Sequence, residues 1–468
     1  MSSPGGGPTA DTTRTLTDVL ARRLPFLIDT YRAIPQTGGS PYEPGLLDAN
    51  AAVAFALSAR RAAECDSFDR SPDAIRELAL EALRSVSRCR PEEVPPLAWS
   101  YASYALLLAG DRCDEETRSA LVEGVVASAD RLLEYVFPTG LYRDTKAEET
   151  CWTAGPLIGA VALASDHPHV SAWGEQAHRF FLNSYNREAD LVSGETVCGK
   201  RVSERVTTAN LFDDFTCENH GAFHPSYQAC INNYAVPYLI YRDVIGAVPA
   251  SLTWNWGGIH DVMSRLIRAN GRIVAPAGTD YFPYSHAEQI HYFALVADAL
   301  EDRLAYRAAY LAARRIEAFQ ATQKGRLVGD YLGDDRHIYW EYHFASFVAL
   351  AGEILAGGAS SPARPPVPEP TDRAPVTDRE LLEIGDGPWS SPYCRFVVHK
   401  DRAFHASFSL RSMLGRRPGS GYVVPETGPI WTDHFCTQPS LSPVILDSAG
   451  LEVELAPVDH RVGHDQIG

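Results

Sequence analysis

The sequence predicts a mainly α-helical fold, an incomplete (α/α) toroid of helical hairpins followed by a small antiparallel β-sandwich-like domain. Three observations predict it. From Leu16 to Gly358, segment after segment carries apolar residues at positions i, i+3, i+4 and i+7, the spacing of amphipathic helices. No strands alternate with these segments, which argues against a doubly wound sheet. After a Pro-rich stretch the chain changes to short runs rich in β-branched and aromatic residues, which are typical of strands.

Composition divides the chain into four parts. They are a disordered N-terminus (1–13), an α/α toroid catalytic domain (14–358), a Pro-rich linker (359–378) and a β domain (379–468). A toroid is favoured over a solenoid because the helical part shows no repeat of fixed period. Long polar loops lie between Ser184 and Tyr234 and between Ala269 and His291. We expect these loops to line a cleft at one end of the ring.

Charge and hydropathy exclude several classes of protein. The chain of 468 residues has 42 Lys and Arg against 59 Asp and Glu, a net charge of -17, so nucleic acid is not the expected partner. Apolar runs such as 102–110 are too short to span a bilayer, and the N-terminus lacks the pattern of a signal peptide. The nine cysteines contain no CxxC pair and indicate free thiols. We therefore expect a cytoplasmic protein without a membrane partner, whose oligomeric state the sequence leaves open.

The densest polar segment is Asp213–Tyr234, DDFTCENHGAFHPSYQACINNY. Gly221 and Pro225 interrupt any regular helix there, so His220 and His224 are not expected on one helical face despite their i, i+4 spacing. A helix is expected to begin after the proline and to continue to the end of the segment.

A loop-to-helix junction of this composition predicts a proton-transfer site. His220, or Asn219 beside it, would hold an anionic group, Tyr227 would move a proton, and His224 would contact the substrate. The alternative interpretation is a helix-capping loop whose Asn and His side chains satisfy buried backbone groups.

The acidic and histidine residues of this segment also raise two metal-based alternatives. Zinc on His220, His224 and Glu218 lacks the HExxH order, and the glycine and proline break the helix. A magnesium-diphosphate site on Asp213, Asp214 and Glu218 lacks a second acidic helix. The distant pair His460 and His464 is typical of a solvated surface. The sequence therefore predicts neither a metal nor a cofactor.

Two further sets of residues could contribute to a cleft. Arg265 and Arg268 are three apart, so we expect them on one helix face, where their guanidinium forks suit a carboxylate or sulfate; ordinary surface arginines are the alternative. The predicted sugar-binding wall consists of Trp254, Trp256, Asp280, Tyr281 and His286, with core aromatics as the alternative. Glu341 and His343 are expected to close the last helical hairpin rather than to line this cleft.

The chain resembles the hyaluronate, chondroitin and xanthan lyase family of polysaccharide lyases, and more loosely the toroids of heparinase and alginate lyases. Three segments carry the resemblance: ENHGAFHPSYQACINNYAVPYLIY, MSRLIRAN and CRFVVHKDRAFHASFSLRS. The resemblance implies β-elimination on a uronic-acid-containing saccharide. It implies that Tyr227 is both base and acid and that the substrate carboxylate is neutralised by His220, Asn219, Arg265 and Arg268.

The chain departs from this family in several respects. Thr150 and Thr153 stand where the family places a catalytic Asn, the spacing from His to Tyr is shorter, and the arginines are three rather than four apart. The β region is short, and the usual secretion signal is absent. The expected substrate is therefore an anionic saccharide or a small carboxylated metabolite. The alternatives are biosynthetic elimination or isomerisation, a toroid glycoside hydrolase with paired carboxylates at Asp213, Asp214 and Glu218, and a non-catalytic lyase-like protein.

Overall fold

The computed structural model describes residues 8–33, 45–277, 287–328, 336–357, 376–410 and 420–425. In these ranges the protein is mostly helical with small antiparallel sheets, which confirms the predicted mainly α class. The α-helices are α1 (Pro8–Ala33), α2 (Leu46–Ala62), α3 (Pro72–Ser87), α4 (Pro96–Ala109), α5 (Glu115–Leu132), α6 (Ala147–Thr153), α7 (Gly155–Leu163), α8 (Val170–Ser184), α9 (Pro225–Gln228), α10 (Ala235–Ile240), α11 (Trp256–Ser264), α12 (Ala287–Leu300), α13 (Arg303–Thr322), α14 (Arg336–Leu355) and α15 (Asp378–Glu383).

Helix α1 includes part of the N-terminus that was expected to be disordered. It begins at Pro8, so residues 8–13 are helical and this boundary was wrong. The threonines there do not break the helix because the hydroxyls of Thr13, Thr15 and Thr17 donate hydrogen bonds to the carbonyls four residues earlier.

Helix starts follow the expected capping chemistry. Ser71 accepts a hydrogen bond from the backbone N–H of Ala74 at the start of α3, and Asp114 accepts one from Thr117 at the start of α5. Proline occupies the first position of α3 and of α4, where no backbone donor is needed.

The last long helices pack against the first. Helix α14 contacts α1, α2 and α12, and α13 contacts α1. A buried ion pair joins α1 to α14, with Arg23 Nε lying 2.7 Å from Glu341 Oε2. One large hydrophobic core runs through these helices.

Two short hairpins precede the C-terminal part, β1 (Thr196–Val197) with β2 (Lys200–Arg201) and β3 (Glu218–Asn219) with β4 (Ala222–Phe223). The C-terminal part contains a four-stranded antiparallel sheet in the order β5-β6-β7-β8. Its strands are β5 (Gly387–Ser391), β6 (Phe396–Lys400), β7 (Phe404–Ser409) and β8 (Ser420–Pro425). Over the described part of the predicted β domain these strands form a single sheet rather than the two of a sandwich. Residues 359–375 of the predicted linker lie outside the described residues.

The sheet packs directly on the polar segment Asp213–Tyr234. The ring of Phe396 lies 4.6 Å from that of Phe223, and Tyr393 stacks on Phe212 at 5.1 Å. Lys400 is completely buried and donates hydrogen bonds to the carbonyls of Ile267, Leu381 and Ile384. The sheet is therefore part of the support for this segment.

None of the helices within the described ranges combines the length and the apolarity needed to cross a membrane.

Candidate active site

His220 lies at the tip of a two-residue hairpin. Strands β3 (Glu218–Asn219) and β4 (Ala222–Phe223) pair antiparallel, and His220 and Gly221 between them have φ of 50° and 89°. Positive φ at both positions is the geometry of a tight hairpin turn, which Gly221 permits without strain. The turn separates His220 from His224, as the sequence predicted.

Helical structure begins after the hairpin at the expected residue. Pro225 is the first residue of α9, His224 precedes it in extended conformation, and a 3₁₀ helix, Ala229–Tyr234, continues the chain into α10. The expectation of a helix after Pro225 is confirmed, although this helix tightens to 3₁₀ geometry after Gln228.

The hairpin and α9 bring three predicted site residues together. The ring of Tyr227 lies 5.5 Å from that of His220 and 4.8 Å from that of His224, and the two histidine rings are 6.3 Å apart. His224 is completely buried and Tyr227 is 7% exposed, whereas His220 is half-buried. Tyr227 thus forms a compact cluster with two imidazoles, and of these three residues His220 is the most exposed.

Asn219 is buried beside His220. Its side-chain Oδ1 has no hydrogen-bond partner among the described residues, and only 2% of the residue is exposed. A buried amide oxygen without a partner costs free energy, and a role in binding or catalysis is one explanation for such a group.

Glu148, which the sequence analysis missed, reaches the same tyrosine from α6. The carboxylate accepts a hydrogen bond from the Tyr227 hydroxyl. Burial, and after it the nearby Glu149 carboxylate, raises the pKa of Glu148 to about 8. No local pattern distinguishes the first glutamate of this helix from the second, because the contact depends on the tertiary packing of α6 against the 3₁₀ helix.

Thr150 and Thr153 stand at the position expected for a catalytic Asn. Their hydroxyl groups donate hydrogen bonds to backbone carbonyls four residues earlier. Thr150 Oγ1 donates to the carbonyl of Lys146 at 2.7 Å, and Thr153 Oγ1 donates to that of Glu149 at 2.5 Å. Both residues are buried. On the same helix, the side chain of Glu148 is instead bonded to Tyr227.

A cavity of about 360 Å³ adjoins this cluster. Its aromatic walls are Trp152, Tyr339, Trp340, Phe344 and Phe347. Its polar groups include Glu148, Asn233 and His343, and burial lowers the pKa of His343 to about 3, so this imidazole is neutral at physiological pH. An apolar pocket with a few polar groups is typical of a small-molecule site.

Arg265 and Arg268 follow helix α11, and the prediction that they share a helix face was wrong. Helix α11 ends at Ser264, so Arg265 and Arg268 do not share a helix face. The chain turns back at Asn270-Gly271, where Gly271 has a φ of 75°, and the backbone N–H of Arg268 donates to the carbonyl of Arg272. Asn-Gly is a strong turn signal that the helical periodicity obscured.

The two arginines also have different surroundings. The Arg265 guanidinium lies over the ring of Trp389 on the β-sheet, 5.6 Å from its centroid. Arg268 is completely buried, near Arg272 and Arg315. Burial, and after it the positive charges of Arg272 and Arg268, lowers the pKa of Arg315 to about 9.

The predicted sugar-binding wall is largely internal where the structure describes it. Trp256 is 1% exposed and stacks on Tyr234 in the core, so its ring offers no open face to a sugar. Trp254 packs on a small apolar cluster of Leu182, Val197, Val202 and Val206. Asp280, Tyr281 and His286 lie outside the described residues.

The three acidic residues considered for a glycoside hydrolase each accept a hydrogen bond from a backbone N–H group. Asp214 accepts hydrogen bonds from the backbone N–H and hydroxyl of Thr216 and from Ser391, while buried Glu218 accepts one from the backbone N–H of Arg143. Asp213 is exposed and accepts a bond from Ala189. Within the described ranges no group of three or more His, Cys, Asp or Glu is arranged to hold a metal ion. His460 and His464 lie outside those ranges.

Glu341 and His343 have separate roles in the structure. Glu341 closes the helical part of the chain through its ion pair with Arg23 and accepts bonds from the backbone of Leu327 and Val328. His343 stacks on Tyr339 and lines the aromatic cavity. Only the glutamate matches the expectation of a purely structural segment.

Comparisons with known proteins give limited information. No family model and no curated protein matches the chain. One similar solved structure is the Streptomyces coelicolor A3 chondroitin AC lyase in complex with chondroitin sulphate, with 13% identity and a TM-score of 0.47. The match covers 87% of this chain and 51% of the lyase, so the chain spans about half the length of that protein. A likeness this distant does not define the activity.

Proposed function

We propose that the protein catalyses β-elimination on a uronic-acid-containing saccharide or a related carboxylated substrate, with Tyr227 as base and acid. The observation that carries the proposal is the cluster of Tyr227 with His220 and His224, which Glu148 connects to an aromatic cavity. We further propose that the helical part is an incomplete (α/α) toroid and that the cavity is its cleft.

The chemistry requires a proton to leave a carbon next to a carboxylate. Negative charge builds up on that carboxylate in the transition state, so donors placed against it lower the barrier. His220 and Asn219 are adjacent in the hairpin beside Tyr227, and in our proposal they supply these donors. In a uronic acid this carbon is C5. The electrons of its C–H bond form a double bond as the bond to the leaving oxygen breaks, and the tyrosine protonates that oxygen.

An ordinary tyrosine needs help to act as a base. With a pKa near 10, only about 0.1% of it is ionised at pH 7. A hydrogen bond to the phenolate oxygen favours the ionised form. Both imidazoles lie within 6 Å of the Tyr227 ring, which supports this arrangement.

The cavity suggests the class of substrate. Its lining residues include no lysine or arginine among those that the structure describes. Aromatic walls and neutral polar groups fit a sugar ring or another uncharged ring better than a sulfated one. We therefore propose a substrate with a single carboxylate at the Tyr227 cluster and an uncharged ring in the cavity.

The proposal is tested by following the ultraviolet absorbance of the conjugated double bond that elimination creates. The purified protein is mixed with uronic-acid polymers, their oligomers and small uronides. Tyr227→Phe is compared with Tyr142→Phe, which changes a tyrosine that is 52% exposed. We expect an absorbance rise that Tyr227→Phe reduces at least about 100-fold and that Tyr142→Phe retains.

Other results would contradict the proposal. New reducing ends without absorbance would indicate hydrolysis, and equal rates in the two variants would remove Tyr227 from the reaction. No turnover of any substrate, together with no binding, would favour the non-catalytic alternative.

A further inference from the structure

The hydrogen bond between Glu148 and Tyr227 has no role in the reaction as proposed so far. We propose that Glu148 accepts the hydroxyl proton of Tyr227 when the tyrosine acts as a base. This inference rests on the proposed function. In it Glu148 exchanges a proton only with Tyr227 and takes none from the substrate.

The backbone holds the two residues in place from both sides. The chain that leads into α6 is bonded to the hairpin, because Thr145 N–H donates to the carbonyl of Glu218 at 2.7 Å and Gly221 N–H donates to that of Arg143 at 2.8 Å. Glu148 follows directly on α6, and Tyr227 follows the hairpin on α9. The pair is therefore built from two segments that are fixed to each other, rather than from two free side chains.

Charges around Glu148 are arranged so that it remains a proton acceptor of moderate strength. Its near neighbours are Glu149 and Lys146, which form a 2.9 Å ion pair, and Asp144, which lies 2.6 Å from the same lysine. From other elements it faces Tyr227 on α9, Cys217 before the hairpin and, across the cavity, His343 on α14. Because Lys146 is engaged by two other carboxylates, it offsets only part of the cost of ionising Glu148.

This environment brings the basicity of Glu148 close to that of a tyrosine. Burial and Glu149 raise the pKa of Glu148 to about 8, about two units below an ordinary tyrosine, so transfer of the phenol proton is disfavoured about 100-fold. For a glutamate with an ordinary pKa near 4.3 the gap is almost six units, and the same transfer is disfavoured nearly a million-fold. General acid–base catalysis is most effective when the pKa of the proton acceptor lies near the operating pH, and a pKa of about 8 meets this condition better than that of an ordinary glutamate.

The proton balance closes without an outside reactant. The Tyr227 Oη–H proton moves to a Glu148 Oε as Oη takes the proton from C5, and the C5–H electrons form the double bond while the bond to the leaving oxygen breaks. Tyr227 then gives its proton to the leaving oxygen and recovers its own from Glu148. The proton from carbon ends on the leaving group, and both side chains return to their starting state.

The first test needs no substrate. Protein labelled with ¹³C at the tyrosine ζ carbon is titrated by NMR, and the Tyr227 resonance is assigned from its loss in Tyr227→Phe. We expect this resonance to shift as the pH passes about 8, when Glu148 ionises. The shift should vanish in Glu148→Gln and in Glu148→Asp, whose carboxylate is too short to reach the phenol.

Glu149→Gln is the matched control. It removes the adjacent carboxylate but leaves Glu148, so the shift should remain and move to lower pH, because Glu149 raises the pKa of Glu148. A Tyr227 resonance that shows no step near pH 8 in wild type, or the same step in Glu148→Gln, would overturn the inference.

The second test uses activity on whichever substrate shows Tyr227-dependent elimination. The wild-type rate should rise with pH up to about 8, and Glu148→Gln should lose at least about 100-fold in kcat together with this acid limb. An NMR step without any turnover would contradict the proposed function but not the proton pair. Tyr227-dependent turnover with an unchanged profile in Glu148→Gln would contradict only the role of Glu148.

Discussion

Ser391 on strand β5 donates a 2.6 Å hydrogen bond to Oδ2 of Asp214, at the start of the segment that carries the candidate site. Ser391 is 1% exposed, and its hydroxyl also accepts the backbone N–H of Cys394. Thr216, two residues after Asp214, bonds to the other carboxylate oxygen at 2.6 Å. The sheet thus holds the chain immediately before the hairpin with His220.

We expect Ser391→Ala to destabilise the protein and loosen the hairpin. A hydrogen bond to a charged group contributes about 1.5–3 kcal/mol, and its loss leaves a carboxylate oxygen partly buried. Urea unfolding would measure the free energy, and hydrogen exchange of residues 212–223 would report the local effect. Ser390→Ala is the matched control because Ser390 is exposed on the same strand. Equal exchange in the two variants would contradict a supporting role for the sheet.

Periodicity and turn chemistry predicted much of the fold. Apolar spacing identified the helices, and Gly221 with Pro225 predicted the break between the two histidines and the helix start that the structure shows. The Asn270-Gly271 turn was missed because the residues before it continue an apolar helical pattern. At turns of this kind a short local signal outweighs the longer periodicity.

The candidate site could be predicted only in part, for a physical reason. His220, His224 and Tyr227 lie within eight residues of one another, so local spacing is enough to suggest that they meet. Glu148 comes from a helix far away in sequence, and the burial that raises its pKa arises only after the helices have packed. Local patterns likewise could not separate buried Trp256 from Trp340, which lines the cavity.

Breaking the buried ion pair between Arg23 and Glu341 should lower the free energy of unfolding far more than breaking the exposed ion pair between Arg22 and Glu317. Arg23→Met leaves the Glu341 carboxylate buried without its cation, for an expected loss of about 3–5 kcal/mol. Arg22→Met removes the pair with Glu317, whose partners are 40% and 28% exposed, and should cost less than about 1 kcal/mol. Chemical denaturation measures both losses. Similar losses for the two variants would show that Arg23 contributes through its packing and not through its charge.

Trp340 tests whether the cavity binds substrate. Trp340→Ala removes an aromatic wall of the cavity, so we expect KM to rise roughly tenfold as apolar contact is lost, with a smaller change in kcat. Trp340→Phe retains a flat ring and should recover most of the affinity. Steady-state kinetics on an active substrate would separate the two parameters. A change in kcat alone would contradict binding in the cavity.

Glu148 should make the protein less stable as the pH rises. Its pKa is about 8 in the folded state against 4.5 for an exposed glutamate, so the folded state holds this proton more tightly than the unfolded state does. The free energy of unfolding therefore falls between about pH 4.5 and 8, and the stability that the protonated carboxyl contributes is lost as the pH passes the folded pKa. Glu148→Gln cannot ionise and lacks this slope.

We thus expect Glu148→Gln to match wild type near pH 4 and to exceed it near pH 9, by on the order of 2 kcal/mol once the solvent that reaches the carboxyl is allowed for. Urea unfolding at the two pH values measures the difference. Glu149→Gln keeps a titrating carboxyl at position 148, so the free energy of unfolding of this variant should still fall as the pH rises. A glutamine variant that is more stable only when Glu148 is ionised would mean that the chain gives up stability to keep a proton acceptor beside Tyr227, as active sites commonly do. An equal difference at both pH values would mean that Glu148 titrates like an ordinary glutamate and is unsuited to accept the tyrosine proton.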